Sequence, residues 1–394
     1  MDIELQRTNT PHCRQLIHFN NAGASLVPVP VSLTIEQYLK LEQELGPYEA
    51  QRKNSVAIDK IYVDCARFLN CQPNEIALTS GATQAWYVLL HAINWQKGDK
   101  ILLTNLEYGG FYLALLQLQK IYDLELEVIP VNKGIFDLAG LKARLNNKVK
   151  LVSISHLASH GGAVLPVREI GELLQKYPCY YAVDVAQSIG QLPIDVENIQ
   201  CDFLIGTGRK YLRAPRGTGF LYVRAQHLPQ LTAFFANSRY VNLADDKQNF
   251  TLHTNSARIF EAWESCYAIR LGLAEAMLYA EKVGLNQIWQ RIQLLAHYLQ
   301  EQIASIPQLQ PANQERDASG IMLWNSPYSA LEISRALQQR EKPINIEPWN
   351  AASSPLMQFA NNNTQLLRFS PHYYNTIEEI DEVVTSLKEV IAKF

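Results

Sequence analysis

The sequence predicts an α/β fold with a mainly parallel, seven-stranded sheet in a large domain and a smaller α+β domain at the carboxyl end. From about residue 75 to residue 223, short apolar runs alternate with longer amphipathic stretches, a pattern typical of strands joined by helices. After about residue 255 the pattern changes to two long helical stretches, short strands and a closing helix. We therefore expect a large domain over residues 24–255 and a small domain formed by residues 1–23 and 256–394.

Several candidate strands are continuous apolar runs, which suits strands buried on both faces. The seven are Glu75–Thr79, Lys100–Thr104, Leu124–Pro130, Lys150–Ser155, Tyr180–Asp184, Asp202–Ile205 and Gly219–Val223. The candidate helices carry apolar residues at three- and four-residue spacing. They cover Ala82–Ile93, Gly110–Ile121, Val167–Lys176, Ala257–Val283, Gly284–Ile306 and Thr376–Lys393. The polar stretch Phe234–Asn255 is predicted to be an interdomain or interface loop.

Composition narrows the class of protein. With 394 residues, the chain is long enough for two domains and a buried site. A net charge of −3 offers no broad basic surface, so we expect no nucleic-acid partner. The six cysteines are scattered without metal-ligand spacing, which predicts free thiols and no metal site. The amino terminus lacks the apolar core of a signal peptide and no run is long enough to span a membrane, so we expect a cytoplasmic protein without a membrane partner.

The first chemical motif, Ser80-Gly81-Ala82-Thr83, follows a predicted strand and begins a predicted helix. Gly81 permits close approach to the backbone, and the helix start offers free N–H groups from Ala82 and Thr83. Such a turn binds phosphate. The same residues also suit an ordinary helix start capped by Ser or Thr, and the sequence leaves both interpretations open.

The second motif places Asp184 at the carboxyl end of an apolar strand. A carboxylate is costly to bury without a partner. A protonated pyridine nitrogen would be a suitable partner, because the ion pair keeps the ring able to accept electrons. A helix-capping role for Asp184 is the alternative.

The third motif is Lys210, which follows a buried strand and the turn Gly206-Thr207-Gly208. Desolvation and neighbouring cations lower the pKa of such a lysine and leave a nucleophilic amine that can form a Schiff base. The flanking Thr207 and Arg209 could bind a phosphate group. A surface turn rich in basic residues is the alternative.

Taken in order, the motifs resemble the class V aminotransferases of pyridoxal-5′-phosphate (PLP) fold type I, which include cysteine desulfurases, selenocysteine lyases and isopenicillin N epimerase-like proteins. The resemblance covers nearly the whole chain and implies the aminotransferase-like fold, PLP as cofactor, an amino-acid substrate and a homodimer. The motifs that carry it are His18–Gly23, Ser80–Thr83, Glu107-Tyr108, Ser155-His156, Asp184-x-x-Gln187, Thr207–Lys210 and Leu366–His372.

The resemblance also implies a role for each matched residue. Lys210 would form the Schiff base, Asp184 would pair with the pyridine nitrogen and Gln187 would lie near the phenolic oxygen. Tyr108 would stack on the cofactor ring. The residues expected at the phosphate are Ala82, Thr83, Thr207 and Arg209. The residues expected to bind substrate are Asn21 and Arg368, the latter at the α-carboxylate.

Three departures bear on the activity. Arg209 stands where cysteine desulfurases commonly carry His, and the segment Arg258–Glu264 replaces a Gly-Thr pair that completes the phosphate site across the dimer in that group. Residues 342–370 contain no cysteine that could accept sulfur as a persulfide. We therefore expect a carbon-sulfur lyase acting by β-elimination. Transamination and epimerisation remain open alternatives, and so does a non-catalytic scaffold.

Overall fold

A computed structural model describes residues 1–233, 240–245, 248–312, 319–349, 354–356 and 365–394. The strands are β1 Ile17–His18, β2 Ile76–Thr79, β3 Lys100–Thr104, β4 Glu125–Ile129, β5 Val131–Asn132, β6 Ile135–Phe136, β7 Val149–Ser155, β8 Tyr180–Asp184, β9 Phe203–Thr207, β10 Gly219–Val223, β11 Val241–Leu243, β12 Phe250–Leu252, β13 Gln310–Pro311, β14 Met322–Ser326, β15 Ile344–Asn345, β16 Glu347–Trp349 and β17 Gln365–Phe369.

The helices are α1 Ile3–Thr8, α2 Val29–Leu45, α3 Pro47–Lys53, α4 Ser55–Leu69, α5 Ala82–Ala92, α6 Gly109–Tyr122, α7 Leu138–Arg144, α8 Val167–Leu174, α9 Val196–Ile199, α10 Tyr267–Val283, α11 Leu285–Ile303, α12 Ala330–Gln338 and α13 Ile377–Ile391. Within the described ranges, none of these helices has both the length and the apolar character that a membrane crossing requires.

The large sheet has seven strands in the order β2-β10-β9-β8-β7-β3-β4. The pairs β3–β4, β3–β7, β7–β8 and β8–β9 are parallel, whereas β10 runs antiparallel to both of its neighbours. The predicted seven-stranded, mainly parallel sheet is thus confirmed. Because β2, β3, β7, β8 and β9 run in the same direction, their carboxyl ends share one edge of the sheet, where ligands bind in such folds.

Apolar side chains from the two faces of this sheet enter two different cores. One core contains Leu102 and Val152, and the other contains Ile101 and Leu151. The strands are therefore buried on both faces, which explains their continuous apolar sequences.

A third core lies around the four-stranded antiparallel sheet β13-β14-β17-β16 and helices α11 to α13. Ile17 and Phe19, near the amino terminus, pack into this third core. Helix α10 instead contributes Leu273 and Met277 to the first core, beside α2 and α4. The domain boundary at residue 256 stays a prediction, and this packing favours a boundary near Gly284, between α10 and α11.

Two local predictions differ from the structure. The helix predicted from Ala257 starts only at Tyr267, because a short 3-10 turn ends at Phe260 and Glu261 then takes an extended backbone. The described part of the predicted loop Phe234–Asn255 contains the antiparallel pair β11–β12, while residues 234–239 and 246–247 of that prediction lie outside the described ranges.

Strand β2 is an edge strand, and side chains satisfy its outer backbone groups. The Leu78 N–H donates to Glu261 Oε1 over 2.9 Å, and Arg270 Nη2 approaches the Leu78 carbonyl at 3.5 Å. Glu261 is buried and also accepts from Arg270 Nη1 at 2.9 Å and from the Tyr62 hydroxyl. Since Leu78 is two residues before Ser80, this network fixes the strand that leads into the first motif.

We predict that Glu261→Ala lowers the free energy of unfolding by about 3–5 kcal/mol, because it leaves the mostly buried Arg270 without its carboxylate and Leu78 without its acceptor. Denaturant unfolding followed by circular dichroism measures the loss. The matched control Glu264→Ala, at an exposed position of the same segment, should change stability by no more than ~0.5 kcal/mol. Similar values for both variants would contradict the importance of the network.

Candidate active site

A cavity of about 270 Å³ lies at the carboxyl edge of the large sheet. It brings together residues that are up to 137 positions apart in the sequence, from Ser80 to Gly217.

 

Eight of the ten residues predicted for the site line this cavity: Ala82, Thr83, Tyr108, Asp184, Gln187, Thr207, Arg209 and Lys210. The other two, Asn21 and Arg368, are not among its lining residues.

The first motif forms a tight turn between β2 and α5. Gly81 is the N-cap residue of α5, and no side chain caps this helix. The alternative of a helix start capped by Ser or Thr is therefore wrong. A Cβ atom on Gly219 would lie 2.6 Å from the Gly81 Cα, so β10 can run this close to the turn only with glycine at position 219. The uncapped start of α5 therefore faces the cavity with the chemistry that binds an anion.

Asp184 ends β8, with part of its side chain open to the cavity. Its Oδ1 accepts a hydrogen bond from the Ala186 N–H over 2.8 Å, so one oxygen does serve the local turn. Burial raises the pKa of Asp184, while the Ala186 N–H and the nearby Lys210 amine lower it. The carboxyl group thus needs a cationic partner to remain ionised here.

Lys210 has only 9% of its surface exposed, which excludes a solvated basic turn at this position. Burial lowers the pKa of the Lys210 amine to about 7, and the neighbouring cations Arg209 and Arg368 add to this effect. Asp184 acts in the opposite direction. A large fraction of the amine is therefore neutral near pH 7 and able to act as a nucleophile or a base.

The remaining cavity residues differ in how firmly they are held. Thr207 Oγ1 donates to the Thr218 carbonyl at 3.2 Å, and the Arg209 guanidinium donates to the Gly23 carbonyl. Gln187 Nε2 donates to the Ala22 carbonyl at 3.2 Å, but its buried Oε1 has no hydrogen-bond partner in the described part of the chain. Tyr108 is 38% exposed.

Arg368 lies beside the cavity, with 3% of its surface exposed. Its Nη1 donates to the carbonyl of Ser159, a cavity-lining residue, at 3.1 Å. Its Nη2 donates to Asn20 Oδ1 at 3.2 Å. The asparagine that contacts Arg368 is therefore Asn20.

Asn21, the residue predicted to bind substrate, is fully buried. Its Nδ2 donates to the His18 and Ser370 carbonyls, and its Oδ1 accepts from the Tyr374 hydroxyl at 2.6 Å. Through these bonds Asn21 joins the amino-terminal segment to the segment that follows β17. Its substrate-binding role stays a prediction.

Glu107 was not predicted as a site residue, although it follows an apolar strand as Asp184 does. It is fully buried and accepts hydrogen bonds from the Ser155 N–H and from the Thr104 hydroxyl. Burial, together with the negative charge of Asp184, raises the pKa of Glu107 to about 8. Glu107 is thus protonated at neutral pH and adds no second negative charge beside Asp184.

No group of three or more potential metal ligands is assembled anywhere in the residues that the structure describes. The site is built instead from one amine, one ionisable carboxylate, guanidinium groups and backbone N–H groups. Such a set suits an anionic organic ligand.

Comparisons with known proteins show which family the chain matches. A model of the family "Aminotransferase class-V" matches residues 17–383. A probable cysteine desulfurase of Methanothermobacter thermautotrophicus is 26% identical over 400 residues, covering 99% of this chain and 98% of the relative.

Two solved structures resemble the fold closely. The apo cysteine desulfurase of Thermococcus onnurineus NA1 has a TM-score of 0.90 at 23% identity, covering 99% of this chain and 98% of that one. The cystine C-S lyase C-DES, solved with its reaction product cysteine persulfide, has a TM-score of 0.85 at 24% identity, covering 96% and 98%. These likenesses confirm the predicted fold. Because the family match extends over nearly the whole length, the resemblance inferred from the motifs is confirmed as well, and the chain belongs to the class-V aminotransferase family.

Proposed function

We propose that this protein is a PLP-dependent carbon-sulfur lyase that cleaves a sulfur-containing amino acid by β-elimination. The observation that carries the proposal is one cavity that contains a buried lysine amine, a strand-end carboxylate and an uncapped helix start. Family membership and the names of the relatives support the same reaction class.

The residues present fit PLP at each of its polar groups. The Lys210 amine suits the aldehyde, and Asp184 suits the pyridine nitrogen. Gln187 suits the phenolic hydroxyl, which could donate to the buried Oε1 that has no partner among the described residues. The uncapped start of α5 and the Arg209 guanidinium suit the phosphate. Tyr108 supplies an aromatic face for the ring.

When bound, PLP supplies an electron sink for the bond electrons of the substrate's α-carbon. The chain supplies the groups around it. Asp184 would keep the ring nitrogen protonated, and Arg368 would orient the substrate through its carboxylate. Lys210 Nζ would hold the cofactor and would also take the α-proton of the substrate, because its lowered pKa leaves a large fraction of the amine neutral near pH 7.

The positions of the cysteines favour elimination over transfer of sulfur to the protein. None of the six cysteines lines the cavity. Burial also raises the pKa of five of the thiols, which disfavours the thiolate that would accept sulfur. These five are Cys13, Cys65, Cys71, Cys179 and Cys201.

The homodimer and the cytoplasmic location also remain proposals. Exposed apolar side chains on α3, α4 and the segment before α10 support a partner subunit on that side of the molecule. They are Tyr48, Val56 and Trp263.

The products test the proposed reaction. With cysteine as substrate, β-elimination consumes one water and yields pyruvate, ammonium and hydrogen sulfide in equal amounts. Keto-acid, ammonium and sulfide assays on the PLP-loaded protein measure them. Stoichiometric alanine with a persulfide on a cysteine would indicate desulfuration, and racemised or transaminated amino acid without pyruvate would indicate one of the other outcomes.

Lys210→Ala is expected to lose turnover by at least about 100-fold and to lose all borohydride-reducible attachment of PLP, because the base and the anchoring amine are the same atom. Noncovalent affinity for PLP should persist, since the start of α5 and Arg209 are unchanged. Absorbance after borohydride treatment and equilibrium dialysis measure the two properties. Lys176→Ala, at an exposed position, is the control. Reducible attachment at the wild-type level in Lys210→Ala would refute the assignment.

The rate at which apo protein attaches PLP should rise with pH, with a midpoint near pH 7, and level off above it, because only the neutral Lys210 amine reacts. In Arg209→Gln the midpoint should move to higher pH, since one of the cations that lower the lysine pKa is gone. Stopped-flow absorbance measures the rate, and free PLP with a simple alkylamine controls for the cofactor's own titration. A midpoint near the ordinary lysine pKa of about 10.4 would contradict the lowered pKa.

A further inference from the structure

Arg368 is a buried cation that has no carboxylate partner among the described residues. Its guanidinium contacts the Ser159 carbonyl, the Asn20 side-chain oxygen and the face of the Trp349 ring, whose centroid is 4.4 Å from Cζ. Its buried Nε has no hydrogen-bond partner in the described structure. A buried charge in this condition is costly and is stabilised when an anion arrives.

A carboxylate is nevertheless close by. Glu347 on β16 lies directly opposite Arg368 on β17 in the antiparallel register. Instead of pairing with the guanidinium, Glu347 Oε2 accepts a hydrogen bond from Asn20 Nδ2 over 2.6 Å. The Asn20 amide thus bonds to both charged groups, donating to the carboxylate and accepting from the guanidinium.

We propose that Asn20 is a specificity-determining positioning residue that keeps Arg368 available for the substrate's α-carboxylate by separating it from Glu347. The inference deepens the proposed function and rests on it. A direct Arg368–Glu347 ion pair would have to be broken by every incoming carboxylate, whereas a neutral amide orients the guanidinium without neutralising it.

The test compares two ligands that lack an amine and therefore cannot react, 3-(methylthio)propanoate and 3-(methylthio)propanamide. Their affinities for the PLP-loaded protein are measured by ligand-observed NMR titration. The wild type should prefer the acid by on the order of tenfold or more, as expected for a hydrogen bond to a charged group. Asn20→Asp places a carboxylate against Arg368 and should remove most of this preference.

Two further variants separate positioning from a general structural effect. Glu347→Gln keeps a polar partner for Asn20 but removes the negative charge, so the preference for the acid should be retained or increased. Asn345→Asp adds the same charge on β15, where the side chain contacts His18, and should leave the preference unchanged. In turnover of cysteine, Asn20→Asp should raise KM with little change in kcat.

Equal binding of acid and amide by the wild type would overturn the inference, and so would an unchanged preference in Asn20→Asp or an equal loss in Asn20→Asp and Glu347→Gln. These outcomes do not depend on catalysis. If the wild type shows the expected preference but does not cleave sulfur amino acids, the proposed function fails while the role of Asn20 stands.

Discussion

The site depends first on the burial of the Lys210 amine. An ammonium group withdrawn from water loses hydration energy, and the nearby guanidinium groups of Arg209 and Arg368 add repulsion. Asp184 offsets only part of this cost. The fold therefore holds an amine that gives up its proton near neutral pH, which is the property that the proposed cofactor attachment and α-proton removal require.

Elements far apart in the sequence hold the lysine segment. The backbone N–H of Arg213 donates to the Lys210 carbonyl, and Arg213 has a left-handed backbone, with φ of 62°. Its buried guanidinium donates to the Leu26 carbonyl, the Thr10 hydroxyl and the Tyr373 hydroxyl. These bonds join the amino-terminal segment and the segment after β17 to the turn that carries the lysine, so that three parts of the chain are bound at one point.

The distribution of charge matches a ligand with two anionic groups. Cationic Arg209 and the start of α5 lie at the cavity, and Arg368 lies beside it behind Ser159. Among the residues that line the cavity, Asp184 is the one carboxylate, and burial raises the pKa of the neighbouring Glu107 to about 8. This arrangement would separate the proposed phosphate site from the proposed carboxylate site and leave Asp184 for the proposed ring nitrogen.

The sequence by itself determined the large sheet and most of the cavity. The apolar runs that end in Asp184 and in the turn before Lys210 are visible in the local sequence. Parallel strands then bring the carboxyl ends of such runs to one edge of the sheet. The sequence did not determine which polar groups from distant parts of the chain contact each other. Asn20 and Asn21 are adjacent and chemically identical, yet only the pairing of the amino-terminal segment with β17 decides that Asn20 meets Arg368. Likewise, the sequence did not reveal that Glu261 is buried, because its segment has a helical pattern. The backbone of β2 to which Glu261 bonds lies 183 positions earlier in the chain. Such contacts arise from tertiary packing, which a local pattern does not encode.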